Sequence, residues 1–229
     1  MGAALTIRGL RYRYRLREAW VMAVETLDLE AGEQVLLRGP SGTGKSTLLQ
    51  LVAGLLELRP GQGEGSIRVG DVDPLALGGS ARDRWRGRHV GMIFQTFQLL
   101  PEFTALDNVM LALHFAGERP AAQRERAAAL LAELGIERVH APCEELSVGQ
   151  QQRVAVARAV ACRPSLVLAD EPTASLDEAN ADAAMGLIQE TCRRQGAALL
   201  CASHDPAMER RFQRTVQLNP GHHPAEAPR

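Results

Sequence analysis

The sequence predicts one α/β domain built on a mainly parallel sheet, and three observations carry that prediction. First, Gly39-Pro40-Ser41-Gly42-Thr43-Gly44-Lys45-Ser46 fits the phosphate-binding pattern G-x-x-x-x-G-K-[ST] without a mismatch, between a β-prone run at 34–37 and an apolar helical run. Second, residues 166–169 and 198–202 are continuous apolar runs, as strands covered on both faces should be, and each ends in polar residues. Third, from Thr96 to Ala161 the pattern turns helical, which reads as a helical lobe inserted into the α/β domain.

The 229 residues suffice for one sizeable core and force no division into separate folding units. Apolar residues make up 45% and charged residues 23%, ordinary globular usage, and the net charge of -1 argues against a dedicated nucleic-acid binder. The longest apolar stretch, 48–58, is interrupted by Gln50 and Glu57 and is too short for a membrane span. The N-terminus has no apolar run of the secretory kind, so a cytosolic chain is expected, with any membrane role exercised through a partner. Cys143, Cys162, Cys192 and Cys201 form no C-x-x-C pair and have no histidine at metal-ligand spacing. Reduced, mostly buried thiols are expected.

In chain order, Leu5-Thr6-Ile7-Arg8-Gly9 reads as a strand, and a second strand is expected within 21–29, before the turn at Ala31-Gly32. Between them, Arg11-Tyr12-Arg13-Tyr14-Arg15 offers two aromatics. Either is an ordinary sheet residue on pattern alone, or presents a face on which a nucleotide base stacks. In the phosphate loop, Gly39, Gly42 and Gly44 let the backbone turn tightly and aim N–H groups at an anion, Lys45 reaches the β- and γ-phosphates, and Ser46 offers its hydroxyl to Mg²⁺. The following helix is expected over 46–56, with Leu48, Leu49, Leu51, Val52, Leu55 and Leu56 as its apolar residues. A flexible turn at 61–65 leads to a strand at 66–69, and 71–88 reads as a charged surface loop with one helix. The strand at 90–94 ends at Gln95, at the sheet end where ligand-contacting side chains collect.

Thr104-Ala105-Leu106-Asp107 has the form of a helix N-cap with an acid three residues on. Pro120 opens a second helix that Gly135 stops, with Leu130, Leu131 and Leu134 on its apolar side. Ser147 is a suitable N-cap for the run to Cys162, a helix whose first N–H groups face an anion. At the end of the 166–169 strand, Asp170 suits a metal shell and Glu171 suits orienting or deprotonating a water. The alternative is that these acids cap the turn at Pro172-Thr173. A helix is expected over 178–195, and the strand at 198–202 delivers Ser203-His204-Asp205. A lone histidine is more often structural, but His204 lies where the other polar residues gather. After Leu218 a polar, proline-containing tail, 219–229, is expected to be flexible.

These motifs, in this order, resemble the ATP-binding cassette (ABC) ATPases, the nucleotide-binding subunits of membrane transporters, from about Leu5 to Leu218. The matching elements are the phosphate loop, Gln95, the signature Leu146-Ser147-Val148-Gly149-Gln150, the pair Asp170-Glu171, the Ser175-Leu176-Asp177 loop and His204. The resemblance implies a single domain over 1–229, with a parallel core sheet, an N-terminal antiparallel β subdomain and a helical lobe at roughly 96–162. It implies ATP and Mg²⁺ as ligands, held by Gly39 to Ser46, Thr47, Gln95, Asp170 and Asp177, with Ser46, Gln95 and Asp170 around the metal. Glu171 is implied as the base or water-positioning residue, with His204 and Lys45 on the γ-phosphate. Tyr14 stands where the family stacks its aromatic on adenine, with Tyr12 as the neighbouring alternative. Two cassettes sandwich two ATP molecules in this family, so Ser147, Gly149 and Gln150 would act on the nucleotide of a second subunit, in a homodimer formed with ATP.

One departure is Val148, which replaces the first glycine of the signature; a β-branched residue restricts the backbone there, and the composite site is expected to survive. The runs from Phe94 to Pro101, Thr104 to Val109 and Gln150 to Ala155 resemble the LolD, MacB and FtsE branch. That implies a separately encoded permease of the FtsX type, with the chain peripheral on the inner face of the membrane. Two other readings remain: an ATP-dependent clamp regulating an envelope process without transport, and a soluble non-transport cassette.

Overall fold

The computed structural model describes residues 3–15 and 19–219. β1 (Ala3–Tyr12) pairs antiparallel with β2 (Met22–Glu30) on one edge and with β4 (Gly63–Val69) on the other, forming a three-stranded sheet. Five further strands, β3 (Gln34–Arg38), β5 (Val90–Ile93), β6 (Leu166–Asp170), β7 (Ala198–Ser203) and β8 (Arg214–Gln217), form a parallel sheet in the order β5-β6-β7-β3-β8. The expected combination of a parallel core sheet and an N-terminal antiparallel sheet is therefore present.

The apolar runs of the parallel strands divide by alternation between two faces. Val35, Leu37, Leu166, Leu168 and Leu200 pack with α1 (Lys45–Val52) and the antiparallel sheet. Leu36, Val167, Ala169, Leu199 and Cys201 pack on the opposite face, where Met185, Ile188 and Cys192 come from α6 (Glu178–Gln195). The same cluster takes in Leu106, Val109 and Leu113 of α3 (Ala105–Phe115), Leu130 and Leu131 of α4 (Pro120–Glu133), and Val154 and Val156 of α5 (Val148–Val160). The helices of the inserted lobe thus share their core with one face of the parallel sheet.

Local chemistry sets the element ends. Thr104 and Asp107 make the expected reciprocal capping box on α3. α6 stops at Gly196, in the left-handed conformation with φ 69. α1 ends at Val52, short of the expected 56, because Gly54 turns left-handed with φ 64 while the N–H groups of Gly54 and Leu55 bond back to Leu51 and Gln50. β4 begins at Gly63, inside the expected flexible turn. The charged 71–88 stretch contains most of α2 (Gly79–His89). α5 stops at Val160, two residues before the expected Cys162. Of the tail, residues 220–229 lie outside the described residues. All four cysteines are free, and Cys143, Cys192 and Cys201 are buried. Among the described residues no helix is long and apolar enough to cross a membrane.

In a parallel sheet the C-terminal strand ends share one edge, and ligands gather where the strand order reverses. Here β6, β7 and β3 are neighbours, with Asp170 opposite Ala202 and Ser203 opposite Arg38. The phosphate loop after β3, the acids after β6 and His204 after β7 are brought to that edge by the pairing alone.

Candidate functional site

The phosphate loop joins β3 to α1 and is shaped from behind by its first glycine. A Cβ on Gly39 would lie 2.6 Å from the Leu218 carbonyl oxygen and 2.8 Å from Thr43 Oγ1, so no other residue fits. Gly44, with φ 89, caps α1 without any side-chain hydrogen bond, and a Cβ there would lie 2.8 Å from Met22 Cβ. The first N–H groups of α1 are consequently left for an anion. Lys45 Nζ donates to the carbonyls of Gly39 at 2.7 Å and Pro40 at 3.1 Å, and lies 3.6 Å from Glu171 Oε1. A cationic group held this way has weak, neutral acceptors that phosphate oxygens can replace.

Above the loop is an open cavity of about 470 Å³, lined by Tyr14, Val21, Ser41, Gly42, Gly44, Lys45, Ser46, Thr47, Gln95, Glu171 and His204. Ser46 Oγ donates to Asp170 Oδ1 at 3.0 Å. Burial raises the Asp170 carboxyl above the usual carboxylate range; the Ser46 hydroxyl opposes this, the Glu171 charge adds to it and Lys45 opposes it. The hydroxyl of Ser46, the carboxylate of Asp170 and the amide oxygen of Gln95 are hard oxygen donors, the ligand type that Mg²⁺ takes.

Glu171 has φ 47, a conformation rare for a residue with a side chain, and its N–H donates to Ala202 O at 2.9 Å. The turn aims its carboxylate across to β7. Oε1 lies 2.8 Å from His204 Nδ1, and Oε2 accepts from Ser203 Oγ at 3.2 Å and from the His204 N–H at 3.4 Å. A half-buried carboxylate held by Ser203 and His204 and facing a phosphate loop is placed to hold or deprotonate a water.

The two tyrosines separate clearly. Tyr12 is 4% exposed, packed in the antiparallel-sheet core, where burial raises its hydroxyl pKa. Tyr14 is 46% exposed at the cavity rim, edge-on to Tyr12 with ring centroids 5.2 Å apart, and its hydroxyl is hydrogen-bonded to Thr47 Oγ1 at 2.8 Å.

The remaining expected residues are not brought into this cavity. Gly39, Pro40 and Thr43 support the loop without lining the cavity: Thr43 Oγ1 donates to Pro40 O at 2.9 Å. Asp177 caps α6, accepting from the Asn180 N–H at 3.0 Å and from Asn180 Nδ2 at 2.7 Å. Ser147 caps α5 in a reciprocal box with Gln150, accepting from its N–H at 3.3 Å and donating its own N–H to Gln150 Oε1 at 3.0 Å. Ser147, Val148 and Gly149 are all exposed, Val148 by 55%. Val148 takes the first helical position, which a β-branched residue accommodates, so the expected backbone restriction is relieved by the helix itself. Two residues were missed by sequence reasoning. Val21 carries no chemical signal, whereas Ser203 lay beside His204 at a strand end and could have been found by asking what holds Glu171.

Over residues 24–174 the sequence matches the family described as ABC transporter. The chain is 47% identical over 204 residues to the lipoprotein-releasing system ATP-binding protein LolD of Anaeromyxobacter dehalogenans, covering 88% of this chain and 84% of the relative. To the LolD of Hyphomonas neptunium it is 40% identical over 224 residues, 96% of each chain. Among solved structures, it resembles the dimeric post-hydrolysis state of the ATP-binding cassette MJ0796 bound to ADP and Pi, with a TM-score of 0.80, 32% identity and 95% of each chain covered. Against cbiO1 of Clostridium perfringens, part of the ABC transporter complex cbiONQ, the TM-score is 0.83 at 25% identity, over 96% of this chain and 86% of that one.

Proposed function

Since the chain belongs to the ABC transporter family of ATP-binding cassettes, we propose that it hydrolyses ATP between two copies of itself to drive a separately encoded permease of the FtsX type. The observation that carries this reading is the convergence of Lys45, Ser46, Gln95, Glu171 and His204 on one cavity above the phosphate loop. The triphosphate is held by the loop N–H groups and by Lys45, which exchanges the Gly39 and Pro40 carbonyls for phosphate oxygens. Ser46, Asp170 and Gln95 would hold Mg²⁺, which supplies charge neutralisation at the β- and γ-phosphates. Glu171 orients and deprotonates the attacking water, and His204, bonded to it through Nδ1, fixes the carboxylate and faces the γ-phosphate. Tyr14 stacks on the base, while Tyr12 supports it from the core.

The signature residues Ser147, Gly149 and Gln150 serve the nucleotide of the second copy. In support, the capping box consumes the side chains of Ser147 and Gln150 while Gly149 stays open to solvent, and the cassette MJ0796, a solved relative, is a dimer bound to ADP and Pi. The relatives named LolD belong to a lipoprotein-releasing system, which favours export of a lipid-anchored cargo through a permease. An apolar groove of about 630 Å³ beside Gln95, lined by Met92, Phe94, Ala112 and the exposed Phe115 among others, suits a short cytoplasmic helix of that permease. Docking there places the chain on the inner face of the membrane without a span of its own.

The test is Glu171→Gln in the full chain. It should keep ATP, lose turnover by roughly 10²- to 10⁴-fold, accumulate an ATP-bound dimer on gel filtration and copurify from membranes with the permease. Normal turnover by this variant would remove Glu171 from the mechanism, and copurification with soluble scaffold proteins alone would remove the permease.

A further inference from the structure

The segment that follows Gln95 is held in an unusual shape. Phe97 and Gln98 both have left-handed backbones, with φ 57 and 47, and neither is glycine. Residues with side chains stay in that region only where their surroundings fix them. Local bonds contribute: the Phe97 N–H donates to Phe94 O at 3.0 Å and the Gln98 N–H to Thr96 O at 2.6 Å. The Phe97 ring is buried. The remaining partner comes from far along the chain. Arg158 Nη2 donates to Phe97 O at 2.6 Å and Arg158 Nη1 to Gln98 O at 2.5 Å.

Arg158 lies on α5, the helix whose first turn is the signature. The two are separated by eleven positions, roughly 16 Å along one unbroken helix. Arg158 also borders the apolar groove beside Gln95. Burial makes its guanidinium easier to deprotonate than an exposed one. Among the described residues it has no carboxylate within ion-pair distance, so its charge rests on the two carbonyls of the left-handed pair. Letting go of the loop would leave a largely desolvated cation without acceptors, so the loop and α5 should move as one piece.

Building on the proposed function, we infer that Arg158 is a positioning residue that fixes the Gln95 loop of one half-site to the signature helix of the other. Through it, displacement of α5 moves Gln95 relative to Ser46 and Asp170. A planar guanidinium presents two N–H groups to two adjacent carbonyls at once, whereas a lysine ammonium offers a point charge without that fork. Nothing in the reaction touches Arg158 itself.

The experiment compares the full wild-type chain with Arg158→Lys and Arg158→Met, without nucleotide, by amide hydrogen exchange. Arg158→Met should speed exchange at the amides of 97–99 by roughly 10- to 100-fold, the loss expected for a charge-assisted hydrogen bond. Exchange in β6 and β7 should be unchanged, and Arg158→Lys should recover part of the protection. In parallel, ATP binding without Mg²⁺ should stay within about twofold of wild type, while half-saturation of turnover by Mg²⁺ moves to higher concentration, a shift that a merely structural lesion would not give. Unchanged exchange at 97–99 in both variants, or acceleration spread evenly over the chain in both, overturns the inference. If the wild-type chain itself failed to turn over ATP, the hydrolase reading would fall, and the exchange comparison would still decide whether Arg158 holds this loop.

Discussion

Gly149→Ala should make the isolated chain slightly more stable and its catalysis much worse. Gly149 is the second residue of α5, its φ is not left-handed, and an ideal Cβ there meets no atom within 4 Å. Nothing within one chain therefore requires glycine. In a helix interior, glycine costs about 0.5–1 kcal/mol relative to alanine; taking the lower figure for a first-turn position, the gain is about 0.5 kcal/mol. For a chain of this size that raises Tm by roughly 1–2 °C. If the N–H groups at the start of α5 meet the γ-phosphate of a second subunit, the added methyl occupies the space through which the phosphate approaches. Losing one or two charge-assisted hydrogen bonds at about 1.5–3 kcal/mol each lowers turnover by roughly 10- to 1,000-fold or more. Thermal unfolding and steady-state turnover are measured on the same preparation, and dimer formation is followed in the Glu171→Gln background. Turnover within about twofold of wild type, with Tm raised, would show that nothing approaches Gly149 and would refute the two-subunit reasoning. Val148→Gly is the control: the valine side chain points outward at the first helical position, so its loss should change turnover only a few-fold.

Two further variants separate binding from stability. Tyr14→Ala removes an exposed ring and should weaken ATP binding by roughly 5- to 100-fold through lost stacking, with little change in Tm; Tyr12→Ala should instead destabilise the fold by about 3–5 kcal/mol, and calorimetric titration beside thermal melts distinguishes them. Asp170→Asn should raise Tm at neutral pH and shrink the stabilisation given by MgATP. The sign follows from burial. The folded pKa of Asp170 lies above its unfolded value, so the folded state holds this proton more tightly and ionised Asp170 opposes folding at neutral pH. That penalty is present above the folded pKa and fades as pH falls through it towards the unfolded value, so the advantage of the asparagine should fade over the same window. A variant that melts below wild type at pH 7 would show that the Ser46 hydrogen bond outweighs desolvation.

The elements legible in sequence were those whose local chemistry and burial agreed. Ser147, Thr104 and Gly135 named helix ends that the structure keeps, and 166–169 and 198–202 were apolar enough to announce strands buried on both faces. β8 was missed because Arg214-Thr215-Val216-Gln217 is a sheet-edge strand with only Val216 partly buried, so it lacks an apolar run. The early end of α1 depended on reading Gly54 as a stop between apolar residues on both sides, where the hydrophobic pattern continued and the backbone did not. At the cavity, the motifs named most of the side chains that the fold brings together, whereas the separation of Tyr12 from Tyr14 was not readable. Alternation along β1 puts Tyr12 inside, but the sequence does not say where β1 ends and so where alternation stops applying. The grip of Arg158 on Phe97 and Gln98 was equally hidden, since it joins residues some sixty positions apart through backbone carbonyls that every residue possesses.

The arrangement of Lys45, Glu171 and His204 also bears on the order of events in catalysis. Lys45 lies 3.6 Å from Glu171, His204 is bonded to the same carboxylate, and Lys45 is further occupied by two loop carbonyls. The Glu171 carboxylate is therefore held by the residues proposed to serve the phosphate. A triphosphate entering the loop is the stronger acceptor for Lys45 and draws it from the Gly39 and Pro40 carbonyls. Yet that step completes only the half of the site built by this chain, because Ser147 to Gln150 face outward with their side-chain capping bonds already closed on themselves. Under the proposed function, activation thus divides into two events with different chemistry: nucleotide binding draws Lys45 toward phosphate, and closure of a second subunit supplies the remaining donors. On the same proposal, a permease seated beside Gln95 needs to influence only the second event, through the groove that Arg158 borders, to make turnover depend on its own conformation.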